Sequence, residues 1–304
     1  MSLASPLEGK SSMEEMADFQ RRLEECLPSL TKSEQRIASY LQASSDEAAF
    51  LTAAELARRL EVSEATVVRF ARSIGFDGFP ELRRCLQELF RLKVTPASRL
   101  RRKLADLQGG QGHILAKVVA MEVEYLTEAL HSIDPADFDR AAEILLSGQR
   151  IFVSGTGPSR ILADLAQLRL RRFGIPTVAI TESGRDVLEK LLLLQPGDAV
   201  LAAGFHRITG ELEAVVDQAH ARGCRTVLLT DILAPAFKGR ADVILAARRG
   251  PVSTFHSLTV PMTIVNALVL AVAMARPEES VGALNRLQEL RAAYGLDVAG
   301  QPPA

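Results

Sequence analysis

The chain is expected to fold as an α-helical domain carrying a helix-turn-helix, followed by an α/β three-layer domain with a parallel sheet. Three observations lead there. At 304 residues the chain is about two domains long at ~150 residues each. Residues 31–73 repeat a polar cap followed by an apolar stripe at helical spacing. From residue 150 onward, short apolar runs alternate with amphipathic helical stretches, the order of a parallel sheet covered on both faces. The expected bounds are 1–95 for the helical domain, 96–112 for a linker and 113–304 for the α/β domain. A hydrophobic content of 47% supplies both cores.

In the helical domain Thr31 caps a helix over 31–41. Glu34 stands three residues later, and Ile37, Ala38 and Leu41 share a face. Thr52 and Glu55 make a capping box for a second helix, 52–60, with Ala53, Leu56, Ala57 and Leu60 apolar. Glu61-Val62-Ser63 breaks the chain. Ser63 caps a third helix, 63–73, in which Val67, Phe70, Ala71 and Ile74 fall at i, i+3, i+4 and i+7, and Gly75 ends it. Two short helices across a tight turn form a helix-turn-helix, whose second helix enters the DNA major groove N-terminus first. Burying the apolar stripe turns Glu64, Thr66, Arg69 and Arg72 outward. Arg reads guanine bidentately, Thr touches a thymine methyl, and Glu accepts from cytosine. Ser63 and Thr66 also suit phosphate. The other reading of this pattern is a helical hairpin that only packs.

Charge separates these readings. The whole chain sums to −1, which by itself speaks against a nucleic-acid binder. Residues 58–103, however, hold twelve Lys and Arg against five Asp and Glu, so this window carries +7 and the remainder −8. The run Ser63-Glu64-Ala65-Thr66-Val67-Val68-Arg69-Phe70-Ala71-Arg72-Ser73-Ile74-Gly75-Phe76-Asp77-Gly78-Phe79 then resembles the N-terminal domain of RpiR-family bacterial transcription regulators, over about residues 30–90. The resemblance implies binding of a double-stranded DNA operator by a dimer.

In the middle of the chain, Val94-Thr95-Pro96 and Gly109-Gly110-Gln111-Gly112 are the break signals. Between them Leu100, Leu104 and Leu107 mark a short helix. Helices are expected at 114–132 and 135–147. Strands follow at 151–153, 177–180, 198–203, 226–229 and 242–246, and helices at 159–173, 185–194, 209–222, 256–275 and 279–294. The uncharged stretch 257–275 is read as a buried helix rather than a membrane span. Ligands of parallel sheets sit beyond the carboxyl ends of the strands, which puts residues 154–159, 181–185, 204–209 and 230–235 on one rim.

The first rim loop is Ser154-Gly155-Thr156-Gly157-Pro158-Ser159. Its glycines let backbone N–H groups approach an anion at a helix N-terminus. A dinucleotide fingerprint would need a third glycine where Arg160 stands, and a Walker A loop needs a Gly-Lys-Ser/Thr that is missing. A monophosphate cradle with the Ser154, Thr156 and Ser159 hydroxyls fits the residue types, and a turn without ligand remains the alternative. The domain as a whole resembles a SIS (sugar isomerase) domain over about residues 114–296. The resemblance implies a phosphosugar or related anionic metabolite as effector, and homodimers or homotetramers. Many such domains carry Ser-x-Ser-Gly-x-Thr as a second phosphate loop. Here Gly204-Phe205-His206-Arg207-Ile208-Thr209 keeps only Thr209 and resembles the Phe-Arg-Arg-Tyr-Ser of an RpiR subset. Either Arg207 clamps the anion, or the longer side chains fill the pocket. His206 is read with this loop.

The function expected is therefore regulation of transcription by a cytoplasmic DNA-binding protein tied to carbohydrate metabolism. The expected effector residues are Ser154, Gly155, Thr156, Gly157, Ser159, His206, Arg207 and Thr209. No catalysis, cofactor, metal or membrane partner is expected. The alternative is a phosphosugar isomerase-like enzyme using an acid/base pair such as His256 and Glu182. Cys26, Cys85 and Cys224 are expected as reduced thiols, and residues 1–10 lack the apolar run of a secretory signal.

Overall fold

The computed structural model describes residues 12–93, 95–108, 112–247, 249–250 and 256–296. The chain divides into two compact units, one up to residue 114 with 250–256, the other 115–249 with 257 onward. The break signals at Val94 and 109–111, and residues 251–255, lie outside the described residues.

The first unit is helical: α1 (Ser12–Cys26), a 3-10 turn, α2 (Lys32–Ala48), α3 (Ala53–Arg59), α4 (Glu64–Ser73), α5 (Phe79–Lys93) and α6 (Pro96–Gln108). The segment read as a linker thus contains a helix. The caps form where the sequence puts them. The Thr31 N–H and hydroxyl both reach Glu34 Oε2, at 3.0 and 2.7 Å. Thr52 and Glu55 close a reciprocal capping box, and Ser63 Oγ accepts the Thr66 N–H at 3.1 Å. Gly75, at φ +86°, ends α4 while the Phe76 N–H returns to Ala71 O at 3.0 Å, the 6→1 bond of a Schellman turn. The turn between α3 and α4 closes the same way, Val62 N–H to Ala57 O at 2.9 Å, but with Glu61 at φ +50° where glycine is usual. One difference is length: α2 runs on to Ala48 rather than stopping at 41. Ala48 is fully buried, and tertiary packing of this kind extends a helix beyond its own periodicity. The core gathers Val67, Phe70, Ala71 and Ile74 against Ile37, Leu41, Leu56 and Leu82.

The second unit begins with α7 (Ile114–Ser132) and α8 (Pro135–Ser147). Then strands and helices alternate: β1 (Ile151–Gly155), α9 (Arg160–Arg172), β2 (Thr177–Ile180), α10 (Asp186–Leu191), β3 (Ala199–Ala203), α11 (Gly210–Ala221), β4 (Arg225–Thr230), α12 (Ala234–Phe237) and β5 (Val243–Ala246). α13 (Thr259–Ala275) and α14 (Pro277–Ala293) follow. The sheet has the order β2-β1-β3-β4-β5, and every pairing is parallel. Strand residues alternate between two cores. Phe152, Val200 and Leu228 pack with Val187, Val215 and Phe237 of α10, α11 and α12. Ile151, Val153, Leu201 and Leu229 pack with Ile144, Leu170 and Leu268 of α8, α9 and α13. This is the expected three-layer arrangement. α13 is the uncharged stretch, and Val260, Ile264, Val265, Leu268, Val269 and Val272 are buried on it. Among the described residues no single helix is long and apolar enough to cross a membrane.

The strand order also locates the point at which the connections change direction. The chain leaves β1 for β2 on one side, then crosses to the other side of β1 for β3. Adjacent loops therefore diverge between β1 and β3, the topological switch point at which open α/β sheets bind ligands. The loops after β1 and β3 are 155–159 and 204–209.

Candidate functional site

Each unit holds one candidate site. In the first, Ser63, Glu64, Arg69 and Arg72 are exposed along α4, as expected. Thr66 is not: only 7% of it is exposed. Thr66 lies one turn before Phe70, so its angle belongs to the buried stripe. Its hydroxyl contacts Ser63 Oγ at 2.7 Å and receives the Arg69 Nη2–H at 3.3 Å. The Arg72 Nε–H donates to the Asp77 carbonyl at 3.2 Å. That bond draws its head group toward the turn after the helix and away from the leading end that enters a groove. Arg69 also lies within the field of Glu34. The Thr31 hydroxyl and N–H hold the Glu34 carboxyl below its ordinary value, and the Arg69 charge adds to them.

In the second unit Gly155 has no room for a side chain, since a Cβ there would lie 2.4 Å from the Ser159 carbonyl oxygen. Gly157 takes φ +54°, the left-handed region that favours glycine. Both glycines of the loop are thus required by its tight entry into α9. Thr156 stands half-buried on the rim, whereas Ser154 and Ser159 are buried, at 5% and 8% exposure. A cleft of about 750 Å³ in this unit opens beside β2, walled by Arg160, Arg171, Glu182 and Lys190, rather than over this loop. The Glu182 carboxylate accepts the Thr181 N–H at 2.9 Å and pairs with Lys190 at 3.6 Å. Burial pushes its pKa up, but the backbone hydrogen bonds and Lys190 outweigh it and leave the group below its ordinary value. Such a carboxylate is poorly suited to hold a proton as a general acid near neutrality.

The loop after β3 is organised by two residues that the sequence reading did not assign, Asp231 and Arg249. His206 adopts φ +67°. Its N–H donates to Asp231 Oδ1 at 3.1 Å, and its Nδ1 stands 2.9 Å from Asp231 Oδ2. Arg249 Nη2 lies 3.3 Å from Asp231 Oδ2 and 2.8 Å from His206 Nε2, and its guanidinium packs 3.9 Å from the centroid of the Phe205 ring. The Asp231 and Arg249 side chains are each 6% exposed. Burial is the largest influence on the Asp231 carboxyl and pushes it up. The His206 hydrogen bonds and the His206 and Arg249 charges together outweigh burial and hold it below the ordinary value. The hydrogen bond that ties His206 to this carboxylate comes from its backbone N–H. The His206 ring thus lies against Asp231 and Arg249, beside the exposed Arg207 of the same rim loop. The signals for this cluster were Asp231 immediately after β4 and the Arg248-Arg249 pair after β5.

Of the other expected residues in this loop, Arg207 is exposed. Thr209 caps α11, its Oγ1 accepting the Leu212 N–H at 3.2 Å. Glu211, in the first turn of α11, accepts the Gly184 N–H at 3.1 Å and so joins the loops after β2 and β3. That backbone bond chiefly holds the Glu211 carboxyl below its ordinary value, with the Arg207 charge contributing. Among the described residues no group of three or more His, Cys, Asp or Glu is placed to hold a metal ion.

Comparison with known proteins places both units. Residues 18–91 match the model of a helix-turn-helix domain of the rpiR family, and residues 144–271 match the SIS domain model. The HTH-type transcriptional regulator HexR of Pseudomonas aeruginosa is 25% identical over 279 residues, covering 90% of this chain and 95% of its own. The sugar isomerase domain of an RpiR transcription factor from Sphaerobacter thermophilus is 26% identical, with a TM-score of 0.54 over 57% of this chain and 97% of that one. Vibrio vulnificus NanR, solved in complex with ManNAc-6P, is 23% identical with a TM-score of 0.62, covering 93% of this chain and 100% of that one; it shares the fold.

Proposed function

The chain belongs to the RpiR family of transcriptional regulators, an rpiR-type helix-turn-helix joined to a SIS domain, and on that premise we propose that it binds operator DNA through α4 and senses a small phosphorylated, sugar-like anion at the rim of its sheet. The observation that carries the sensing half is the strand order. The reversal between β1 and β3 puts the glycine loop 155–159 and Arg207 at the switch point, where such sheets take ligands. Thr156, the N–H groups at the start of α9 and the exposed Arg207 supply donors for a phosphate. The DNA half rests on the exposed Ser63, Glu64 and Arg69 at the leading end of α4, within the window of charge +7.

The reading is of a sensor rather than an isomerase. An isomerase needs a group that takes and returns a proton, and Glu182, the candidate among the rim loops, is engaged by Thr181 and Lys190. A homodimer bound to two half-sites, working in the cytoplasm, completes the proposal. Its test is to select duplexes from a random library with the full chain, then titrate ManNAc-6-phosphate and other sugar phosphates against the selected duplex. At least one phosphate should change duplex affinity while its unphosphorylated sugar does not. Loss of any sequence preference, or indifference to every phosphate, would refute the corresponding half.

A further inference from the structure

On α4, Thr66 Oγ1 lies between two exposed residues, 2.7 Å from Ser63 Oγ and 3.3 Å from Arg69 Nη2. The three occur at i, i+3 and i+6, so they follow one another along a face of the helix. Counting hydrogens gives the chain a direction. A guanidinium only donates, so Thr66 Oγ1 accepts from Arg69. Either oxygen of the Ser63–Thr66 pair can be the donor by geometry; a buried hydroxyl hydrogen needs an acceptor, which assigns the Thr66 hydroxyl as the donor to Ser63 Oγ. Ser63 Oγ therefore accepts twice, from this hydroxyl and from the Thr66 N–H at 3.1 Å, and both lone pairs are occupied. What Ser63 retains is its own O–H, a donor, at the exposed helix start where the first-turn N–H groups add partial positive charge. The external partner that suits a lone donor there is an acceptor-only anion such as a phosphate oxygen.

We propose that Thr66 is a positioning residue for DNA recognition: its buried hydroxyl pins the Arg69 guanidinium and turns the Ser63 O–H outward as a donor to the DNA backbone, while Thr66 itself touches no DNA. The inference rests on the DNA-binding reading of α4. It joins a base-reading side chain and a phosphate contact through one buried group. Arg69 keeps four of its five N–H donors for the groove, and the bond to Thr66 reduces the rotamer freedom lost on binding.

The experiment uses the full chain, a duplex selected from a random library by the wild-type protein, and a scrambled duplex. Thr66→Val keeps the branched shape and removes the hydroxyl. Its preference for the selected duplex should fall ~10-fold, with affinity for the scrambled duplex little changed, and Arg69→Ala should then remove little more. Thr66→Ser, which restores the hydroxyl, should recover the preference. A wild-type preference in Thr66→Val, alongside a clear loss in Arg69→Ala, would overturn the inference. If Thr66→Val melts the helical unit, Ser63→Gly decides the matter, because glycine serves as an N-cap with little loss of stability. Losses from Ser63→Gly and Arg69→Ala should then be non-additive, and additivity would overturn the coupling. A wild-type chain that selects no duplex at all refutes the DNA reading itself, before any variant is made.

Discussion

Asp231 shows how one carboxylate can hold a functional loop. It accepts the His206 N–H, faces the His206 ring and lies against Arg249, all with almost no solvent. Its folded pKa lies below the ordinary value, so the unfolded chain binds the proton more readily. The stability it contributes is therefore present above the unfolded pKa, about 3.9 for Asp, and is lost as pH falls through the lower folded value. Asp231→Asn removes the carboxylate that faces the buried Arg249, and breaking a buried pair on one side costs about 3–5 kcal/mol. Urea unfolding at pH 7 should show that loss, and the gap to wild type should narrow in acid below pH ~4. An equal gap at both pH values would mean that the carboxylate charge is not what holds the loop. Arg69 and Arg72 look alike in the sequence, yet only Arg69 lies toward the leading end of α4. Arg69→Ala should cost about 1–3 kcal/mol on a preferred duplex, while Arg72→Ala should weaken all duplexes to a similar extent.

Among the elements, what the sequence disclosed and what it hid follow one rule. Caps, glycine stops and strand runs depend on residues within a turn of each other, and these stand where expected. Thr52 with Glu55, Ser63 before α4, Gly75 after it and the strand 177–180 are examples. The α2 extension and the burial of Thr66 depend on partners elsewhere in the chain. Thr66 was assigned by polarity when its angle, i to i+4 with Phe70, placed it inside. His206 reads from sequence as part of a phosphate loop because the residues packed against it, Asp231 and Arg249, lie in the loops after β4 and β5. The α3–α4 turn gives an element-scale prediction. Glu61 holds the left-handed position of a Schellman turn, where an L-residue with a side chain is strained by about 1–2 kcal/mol and glycine is not. Glycine gives part of this back as lost chain entropy. Glu61→Gly should thus raise the stability of the helical unit by ~1 kcal/mol or less, read as a higher melting midpoint by circular dichroism. A lower midpoint would show that the side chain contributes more than its strain costs.

For the whole molecule, the pooled charge of −1 hides a local feature, the +7 of residues 58–103 set against −8 in the rest of the chain. Alternation of strands and helices announced the parallel sheet, but not the order β2-β1-β3-β4-β5, because alternation is silent about which side of β1 the chain returns to. That order matters most for the proposed function, as it singles out the two rim loops that flank the switch point. The two activities proposed then have to be linked. If a sugar phosphate changes duplex affinity by some factor, the duplex must change sugar-phosphate affinity by the same factor, because both bias one equilibrium. Gly155→Ala separates the parts: its Cβ would press on the Ser159 carbonyl at 2.4 Å, a backbone atom that cannot swing aside, so the loop must deform. The variant should lose the response to phosphate and retain basal duplex binding, since residues 63–69 belong to the other unit. Titrating the phosphate with and without duplex, and the duplex with and without phosphate, measures both factors. Unequal factors at equilibrium would mean that a further binding event is at work. Equal factors in wild type, both collapsing to one in Gly155→Ala, would locate the sensor at the loop after β1.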